Sequence, residues 1–369
     1  MQRVSVTDAQ ARVSVRCTLD HQRKRNNAPK NSQARSTNSR TFRRPSALTL
    51  RTQRQPALCQ HFKGYKSSRA LIAPGGQRAL SSFMIQASAV EEAAGGASSN
   101  NLLIVGPGVL GSLVGQQWLK LFPDAVVTGQ TNTTTRHSEL KDLGIVPRTK
   151  EEAGEERFPY VIFCAPPSGS TDYVGEVRGA AGKWDGTGGL VFTSSTGVYS
   201  NDTSFVYTEE SPTIPAGTSP RVDKLLDAEA AVKECHGCVV RLAGLYHAQR
   251  GAHMYYGGQE EVAGRPDAVL NLLHYEDAAS ISCSLLTSGL RETTVLGCDN
   301  SPITKAAIMD ATYESGRYNF EGRCKFTATE GPIGRTMNND ASRQLLGWTP
   351  KYSSYQEFMK IHARENLSI

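Results

Sequence analysis

The sequence feature with the clearest chemical meaning is a glycine-rich turn after a short apolar run. Residues 102–105 could form a strand buried on both faces, and Gly106-Pro-Gly108-Val-Leu-Gly111 follows directly, leading into a helical pattern. In this context the first glycine permits a tight turn, the second lets the backbone approach a phosphate, and the third lets the helix pack closely on the strand. Amides at the start of the helix then face the anion. The turn predicts a pyrophosphate site of a dinucleotide, with contacts from Gly106, Gly108, Val109, Leu110 and Gly111.

The residues around the second predicted strand indicate which dinucleotide would bind. An acidic side chain near the end of this strand, which is expected to begin at Asp124, would bind the ribose 2′-hydroxyl and repel a 2′-phosphate. No acidic residue follows Asp124 until Glu139. Thr131 and Asn132 are small hydrogen-bond donors, and with Arg136 they suit a phosphate. The sequence therefore favours NADP over NAD, unless Arg136 is only a solvated residue at the start of a helix.

Two further apolar runs, 160–164 and 189–193, are predicted to be strands. They lead into Ala165 and Pro166, and into Ser194, respectively. Strands that alternate with helices imply an α/β fold with a doubly wound parallel sheet, in which ligands bind at the carboxyl ends of the strands. We therefore expect Ala165, Pro166 and Ser194 to lie beside the cofactor.

Five segments occur in an order that is typical of one superfamily. They are Gly-Pro-Gly-Val-Leu-Gly (106–111), Ser-Ser-Thr-Gly-Val-Tyr (194–199), Arg-Leu-Ala-Gly-Leu-Tyr (241–246), His-Tyr-Glu-Asp-Ala-Ala (274–279) and Leu-Gly-Trp-Thr-Pro (346–350). Over residues 101–358 the chain resembles the extended or atypical short-chain dehydrogenases/reductases, which include NAD-dependent epimerases and dehydratases. The resemblance implies an NAD(P)-binding Rossmann core over 101–246, and the remaining core elements with a smaller substrate lobe over 247–369. It also implies a monomer or a homodimer.

The resemblance assigns catalytic roles, and the sequence departs from the pattern at one place. In the superfamily a Ser or Thr four residues before a Tyr polarises the substrate carbonyl, and here these residues are Ser195 and Tyr199. A Tyr-x-x-x-Lys pair on the next helix normally provides the general acid/base. Here Arg221 and Leu225 stand at its two positions, and Lys224 is one residue away. Arg221 stays protonated, so it suits binding of a carboxylate or phosphate. The candidate catalytic residues are Ser195, Arg221 and Tyr199.

Charge divides the chain into two unlike parts. Residues 1–88 hold 17 Lys and Arg but only two acidic residues, a net charge of +15, whereas the rest holds 24 basic and 33 acidic residues, a net charge of −9. The Ser- and Arg-rich, acid-poor segment 1–88 is typical of an organelle transit peptide, with a chloroplast favoured over a mitochondrion. Residues 89–100 are expected to be a flexible linker. The acidic remainder argues against a nucleic-acid partner, and no apolar run is long enough for a membrane span.

The eight cysteines are scattered, and their spacing predicts neither a disulfide framework nor a metal site. Cys235 and Cys238 form the only close pair, between a predicted helix and a predicted strand. A redox-sensitive thiol pair is one interpretation. The other is an ordinary helix end at which Gly237 takes the left-handed conformation.

These observations favour an NADP-dependent oxidoreductase that transfers hydride to or from the carbonyl of a small molecule. The alternative is an NAD(P)-binding protein without turnover, a redox sensor or an assembly factor, because the Tyr-x-x-x-Lys pair is missing. A sugar-nucleotide epimerase or dehydratase ranks lower, since its chemistry depends on that Tyr. An RNA-binding plastid protein ranks lower because of the net charge of −9.

Overall fold

A computed structural model of the protein describes residues 99–202 and 206–367. The predicted transit segment, 1–88, and all but the last two residues of the predicted linker, 89–100, lie outside the described residues. No helix in the described part is long and apolar enough to cross a membrane.

Seven parallel strands form the central sheet, in the order β3-β2-β1-β4-β5-β6-β11. Their bounds are β1 Leu102–Val105, β2 Val127–Thr131, β3 Val146–Thr149, β4 Tyr160–Phe163, β5 Leu190–Ser195, β6 Cys238–Leu242 and β11 Thr294–Gly297. The chain moves outward from β1 to β3 and then returns to the other side of β1. This reversal opens a crevice at the carboxyl ends of β1 and β4, where doubly wound sheets bind ligands. The predicted α/β fold class is confirmed.

The described residues form the helices α1 Val109–Leu121, α2 His137–Asp142, α3 Tyr173–Ala181, α4 Pro220–Glu234, α5 Ala252–Gly257, α6 Tyr275–Thr287, α7 Lys305–Glu314, α8 Asp340–Leu346 and α9 Tyr355–Glu365, with a 3₁₀ turn at Thr196–Val198. Helices α1 and α6 cover one face of the central sheet, and α3 and α4 cover the other. Successive side chains of a strand point to opposite faces. Accordingly, Leu102 and Ile104 join the core under α1 and α6, whereas Leu103 joins the core under α3 and α4.

The later part of the chain builds a smaller lobe with its own apolar core. It contains short paired strands, which are β7 Gly244–Tyr246, β8 Glu261–Val262, β9 Val269–Leu270, β10 Leu272–His274, β12 Ile303–Thr304 and β13 Lys325–Phe326. Tyr246, Ile308 and Phe358 are buried together in this core, between α7 and α9. Most of these elements lie within residues 247–369, and a substrate-binding role for this part of the chain stays a prediction.

Polar side chains cover the open edge of the central sheet at β11. The hydroxyl of Ser342 accepts the amide of Leu296 at 2.8 Å, and the amide nitrogen of Asn339 donates to the carbonyls of Leu296 and Cys298 at 2.9 Å. Asn339 is fully buried. An exposed edge offers unpaired backbone groups to other chains, and these contacts satisfy several of them.

The end of α4 differs in one detail from the sequence prediction. His236, with φ of 61°, takes the left-handed conformation that was predicted for Gly237. The amide of His236 donates to the carbonyl of Lys233 at 2.8 Å, and that of Gly237 to the carbonyl of Val232 at 2.9 Å, which is the Schellman pattern. A Cβ atom at Gly237 would lie 2.7 Å from the side chain of Leu190, so close packing explains this glycine.

The thiol pair beside this helix end consists of two free cysteines. Cys238 is buried in β6, and burial raises the pKa of its thiol. A raised pKa lowers the fraction of reactive thiolate. This environment favours a structural role for Cys238, and redox activity of the pair stays a prediction.

Buried polar groups lie at the junction between the sheet and the smaller lobe. Asp299 follows β11, and its Oδ1 accepts the amide of Ser301 at 2.9 Å. Its Oδ2, the hydroxyl of Tyr246 and Nε2 of His274 are buried without a hydrogen-bond partner among the described residues. Burial raises the pKa of Asp299 from 3.8 to about 7. The folded chain therefore keeps a proton on Asp299 at pH values where the unfolded chain has lost it.

This raised pKa predicts a pH-dependent stability. Between pH 4 and pH 7 the folded form binds more protons than the unfolded form, so the free energy of unfolding falls as pH rises. Asp299→Asn removes this contribution and keeps the acceptor for Ser301. We expect the loss of stability between pH 5 and pH 8 to shrink by about 1–3 kcal/mol, measured by chemical denaturation. Asp142→Asn, at an exposed position, is the control. If the pH dependence of the free energy of unfolding is the same in Asp299→Asn as in this control, Asp299 is not its source.

Candidate functional site

The glycine turn after β1 is held against the end of β4. Gly106 has φ of 80°, and a Cβ atom there would lie 2.6 Å from the backbone of Ala165. The amide of Gly108 donates to the carbonyl of Gly106 at 2.7 Å, which closes the turn. Only glycine combines this conformation with this close approach.

The other two glycines also meet the requirements that the sequence pattern sets. A Cβ atom at Gly108 would have no atom within 4 Å, so this backbone faces open space. A Cβ atom at Gly111 would lie 2.9 Å from the carbonyl oxygen of Gly106 and from Ile104, so this glycine allows α1 to pack on β1. Helix α1 has no side-chain cap and no acidic residue in its first turn. Its first amides are therefore available to an anion.

The open space in front of Gly108 is a cavity of about 710 Å³ at the carboxyl ends of β1, β2 and β4. This volume lies within the usual range for small-molecule and cofactor sites. The cavity brings together seven predicted contact residues, which are Gly106, Gly108, Thr131, Asn132, Arg136, Ala165 and Pro166. The predicted contacts Val109, Leu110 and Gly111 do not line the cavity and form the first turn of α1.

Several charged lining residues were not found by sequence analysis. Lys150 follows β3, while Glu176 and Lys183 belong to α3 and the turn after it. Strand β3 reads Val-Pro-Arg-Thr and carries no apolar run, so the sequence did not predict it. Together with Arg136 and Asp172, these residues give the lining three cations and two carboxylates. The cavity therefore suits an anionic ligand.

Residue Arg136 braces the turn after β2 against the glycine turn. Its Nη1 donates to the carbonyl of Pro107 at 2.9 Å, while Nε and Nη2 bind the two oxygens of Glu139 at 2.8 and 2.5 Å. The pair raises the pKa of Arg136 and lowers that of Glu139. Arg136 is thus more than a solvated residue at a helix start. The hydroxyl of Thr131 lies 2.8 Å from Nε2 of His137 and 3.2 Å from the carbonyl of Arg148.

The two serines that end β5 have different surroundings. The hydroxyl of Ser194 is buried and donates to Glu229 at 2.5 Å, and Glu229 in turn forms a buried ion pair with Arg241 at 2.7 Å. Ser194 does not line the cavity, so its predicted cofactor contact gains no support. Ser195 is half-buried, and its hydroxyl oxygen accepts the amide of Gly197 at 3.1 Å. The hydroxyl group of Ser195 can still donate a hydrogen bond to another acceptor.

The candidate catalytic residue Tyr199 lies in the interior. Its ring is fully buried with the guanidinium of Arg241 4.9 Å above it, and its hydroxyl donates to the carbonyl of Glu209 at 3.3 Å. Burial raises the pKa of Tyr199. Arg335, which sequence analysis missed, binds the carbonyls of Thr196 and Tyr199 at 2.7 and 2.9 Å. Tyr199 is thus placed as part of a rigid wall behind Ser195.

Helix α4 gives different surroundings to Arg221 and Leu225, which stand at the Tyr-x-x-x-Lys positions, and to the neighbouring Lys224. Leu225 is buried in the core under α4, and Arg221 is exposed. The ammonium of Lys224 lies 3.5 Å from the carbonyl of Ser170, in the loop between β4 and α3. Lys224 is therefore the cation of this helix that reaches the loop next to the cavity.

Within the described residues, no group of three or more His, Cys, Asp or Glu side chains is arranged to hold a metal ion. No protein-family model and no curated protein matches the sequence.

Solved structures show the same fold. A functionally unknown conserved protein from Silicibacter pomeroyi is 18% identical with a TM-score of 0.59, over 73% of this chain and 99% of that chain. The dTDP-glucose 4,6-dehydratase from Bacillus anthracis, solved with NAD, is 15% identical with a TM-score of 0.56, over 72% and 95%. The UDP-glucose 4-epimerase from Thermotoga maritima, solved with UDP-glucose, is 16% identical with a TM-score of 0.54, over 71% and 97%. At these identities the likeness establishes the Rossmann-like α/β fold.

Proposed function

We propose that the protein binds a nicotinamide adenine dinucleotide, NADP in preference to NAD, in the cavity at the glycine turn. The observation that carries this proposal is the open space in front of Gly108, which lies next to the close contact of Gly106 with Ala165 and to a helix α1 that has no side-chain cap. A pyrophosphate fits a helix N-terminus of this kind. The dTDP-glucose 4,6-dehydratase of similar fold was solved with NAD, which supports the proposal.

We further propose an oxidoreductase of the atypical short-chain dehydrogenase/reductase type. When bound, the cofactor supplies or accepts hydride at its nicotinamide ring. The residues of this chain orient the reaction partners: the hydroxyl of Ser195 donates a hydrogen bond that polarises a substrate carbonyl, while the amide of Gly197 donates to the serine oxygen and fixes it. The wall of Tyr199, Arg241 and Arg335 holds the turn that carries Ser195.

A second candidate is an NAD(P)-binding redox sensor or assembly factor without turnover. Two observations favour it: the hydroxyl of Tyr199 is buried against a backbone carbonyl, and Leu225 fills the position at which the superfamily has its Lys. An epimerase or dehydratase that uses a Tyr acid/base is disfavoured by the same two observations. Removal of segment 1–88 on import into a chloroplast, or alternatively a mitochondrion, stays a proposal from the sequence alone.

The cofactor site predicts unlike effects for two glycines of the same turn. Gly108→Val places its side chain in open space, so we expect an unchanged Tm but affinity for NADPH lowered about 100-fold, or about 3 kcal/mol. Gly106→Ala forces a contact with Ala165 and a strained φ, so it lowers the stability by about 2–4 kcal/mol. Thermal denaturation and calorimetric titration with NADPH measure both effects. Full NADPH affinity in Gly108→Val would place the dinucleotide elsewhere.

Substitution of Ser195 separates the two candidate functions. If Ser195 polarises a carbonyl, Ser195→Ala lowers kcat/KM for NADPH-dependent reduction about 100-fold and leaves NADPH binding unchanged. The assay is NADPH oxidation against a panel of small carbonyl compounds, with Ser200→Ala as the matched control. Tight NADPH binding with no turnover by the unsubstituted protein would support the sensor instead.

A further inference from the structure

The pair of Arg136 and Glu139 stands at the mouth of the cavity. Arg136 lines the cavity, whereas Glu139 lies one turn further along α2 and does not. The carboxylate takes both Nε and Nη2 of the guanidinium in a bidentate pair. Only Nη1 is directed to the glycine turn, at the carbonyl of Pro107. The face of Arg136 that would bind a phosphate is therefore already occupied by an anion of the chain.

This pair can be exchanged at low cost. The side chains of Arg136 and Glu139 are 38% and 54% exposed, so water can solvate Glu139 once it is released. Exposed ion pairs contribute only about 0–1 kcal/mol. A phosphate dianion offers the same bidentate geometry with more charge, so it competes well for the guanidinium.

A second cation lies across the same turn. The amide of Lys150 donates to the carbonyl of Thr131 at 2.9 Å, because the ends of β2 and β3 are neighbours in the sheet. The ammonium of Lys150 is 3.7 Å from Glu176, and the side chain of Lys150 is 55% exposed. Arg136 and Lys150 thus flank residues 131–133 from two sides, and each is balanced by a carboxylate of the chain.

We propose that Glu139 controls the relative affinity for 2′-phosphorylated and unphosphorylated adenine dinucleotides. Glu139 holds Arg136 in an ion pair until a 2′-phosphate displaces Glu139 from the guanidinium. This inference rests on the proposed cofactor site. A dinucleotide with a free 2′-hydroxyl leaves the ion pair intact, so its affinity does not depend on Glu139. A dinucleotide with a 2′-phosphate takes over Arg136 and must displace Glu139. Glu139 therefore lowers the preference for NADP that Arg136 and Lys150 create.

The test is a double-mutant cycle on binding. Dissociation constants for NADPH and NADH are measured by calorimetry for the unsubstituted protein, Glu139→Gln, Arg136→Gln and the double variant. Glu139→Gln should lower the dissociation constant for NADPH about fivefold and change that for NADH less than twofold. Arg136→Gln should weaken NADPH about tenfold, and in its presence Glu139→Gln should have no further effect. Asp142→Asn, an exposed carboxylate on the same helix, controls for general charge and should change neither constant.

Three results would overturn the inference: equal tightening of NADPH and NADH, the same tightening by Asp142→Asn, or a Glu139 effect that persists without Arg136. If the unsubstituted protein binds neither dinucleotide, the proposed function is wrong and the inference falls with it. If it binds both and Glu139→Gln leaves their ratio unchanged, only the inference is wrong.

Discussion

The close approach of Gly106 to the backbone of Ala165 is the contact on which the site depends. It brings the ends of β1 and β4 together at the point where the strand order of the sheet reverses. The cavity opens there because the chain leaves β1 for one side of the sheet and returns on the other. Since a side chain at Gly106 would separate the two strand ends, the turn and the crevice are parts of one steric arrangement.

A second buried interaction joins β5, β6 and α4 in the interior, beside the turn that carries Ser195. Glu229 on α4 binds both Ser194 on β5 and Arg241 on β6, and Arg241 covers the ring of Tyr199. Separating the partners of a buried ion pair would leave an uncompensated buried charge, which is strongly unfavourable. The pair therefore holds α4, β5 and β6 in one relative position. Glu229, Arg241 and Tyr199 are thus bound to one another in the interior, and they support the turn that carries Ser195.

Local patterns predicted the parts of the fold that follow from a few neighbouring residues. The apolar run 102–105 and its glycines give β1, the turn and α1, because burial and backbone freedom decide these elements locally. Strand β3 lacks an apolar pattern and is fixed by pairing with β2, so Lys150 was missed. The surroundings of Ser194 and Tyr199 depend on Glu229 and Arg241, which are distant in sequence, and no local pattern shows such contacts.

A crystal structure of the protein grown with saturating NADPH would show where the dinucleotide binds. We expect its pyrophosphate against the amides that follow Gly108 and its 2′-phosphate in contact with Arg136. A cavity without dinucleotide under these conditions, or a dinucleotide bound away from the glycine turn, would contradict the proposed cofactor site.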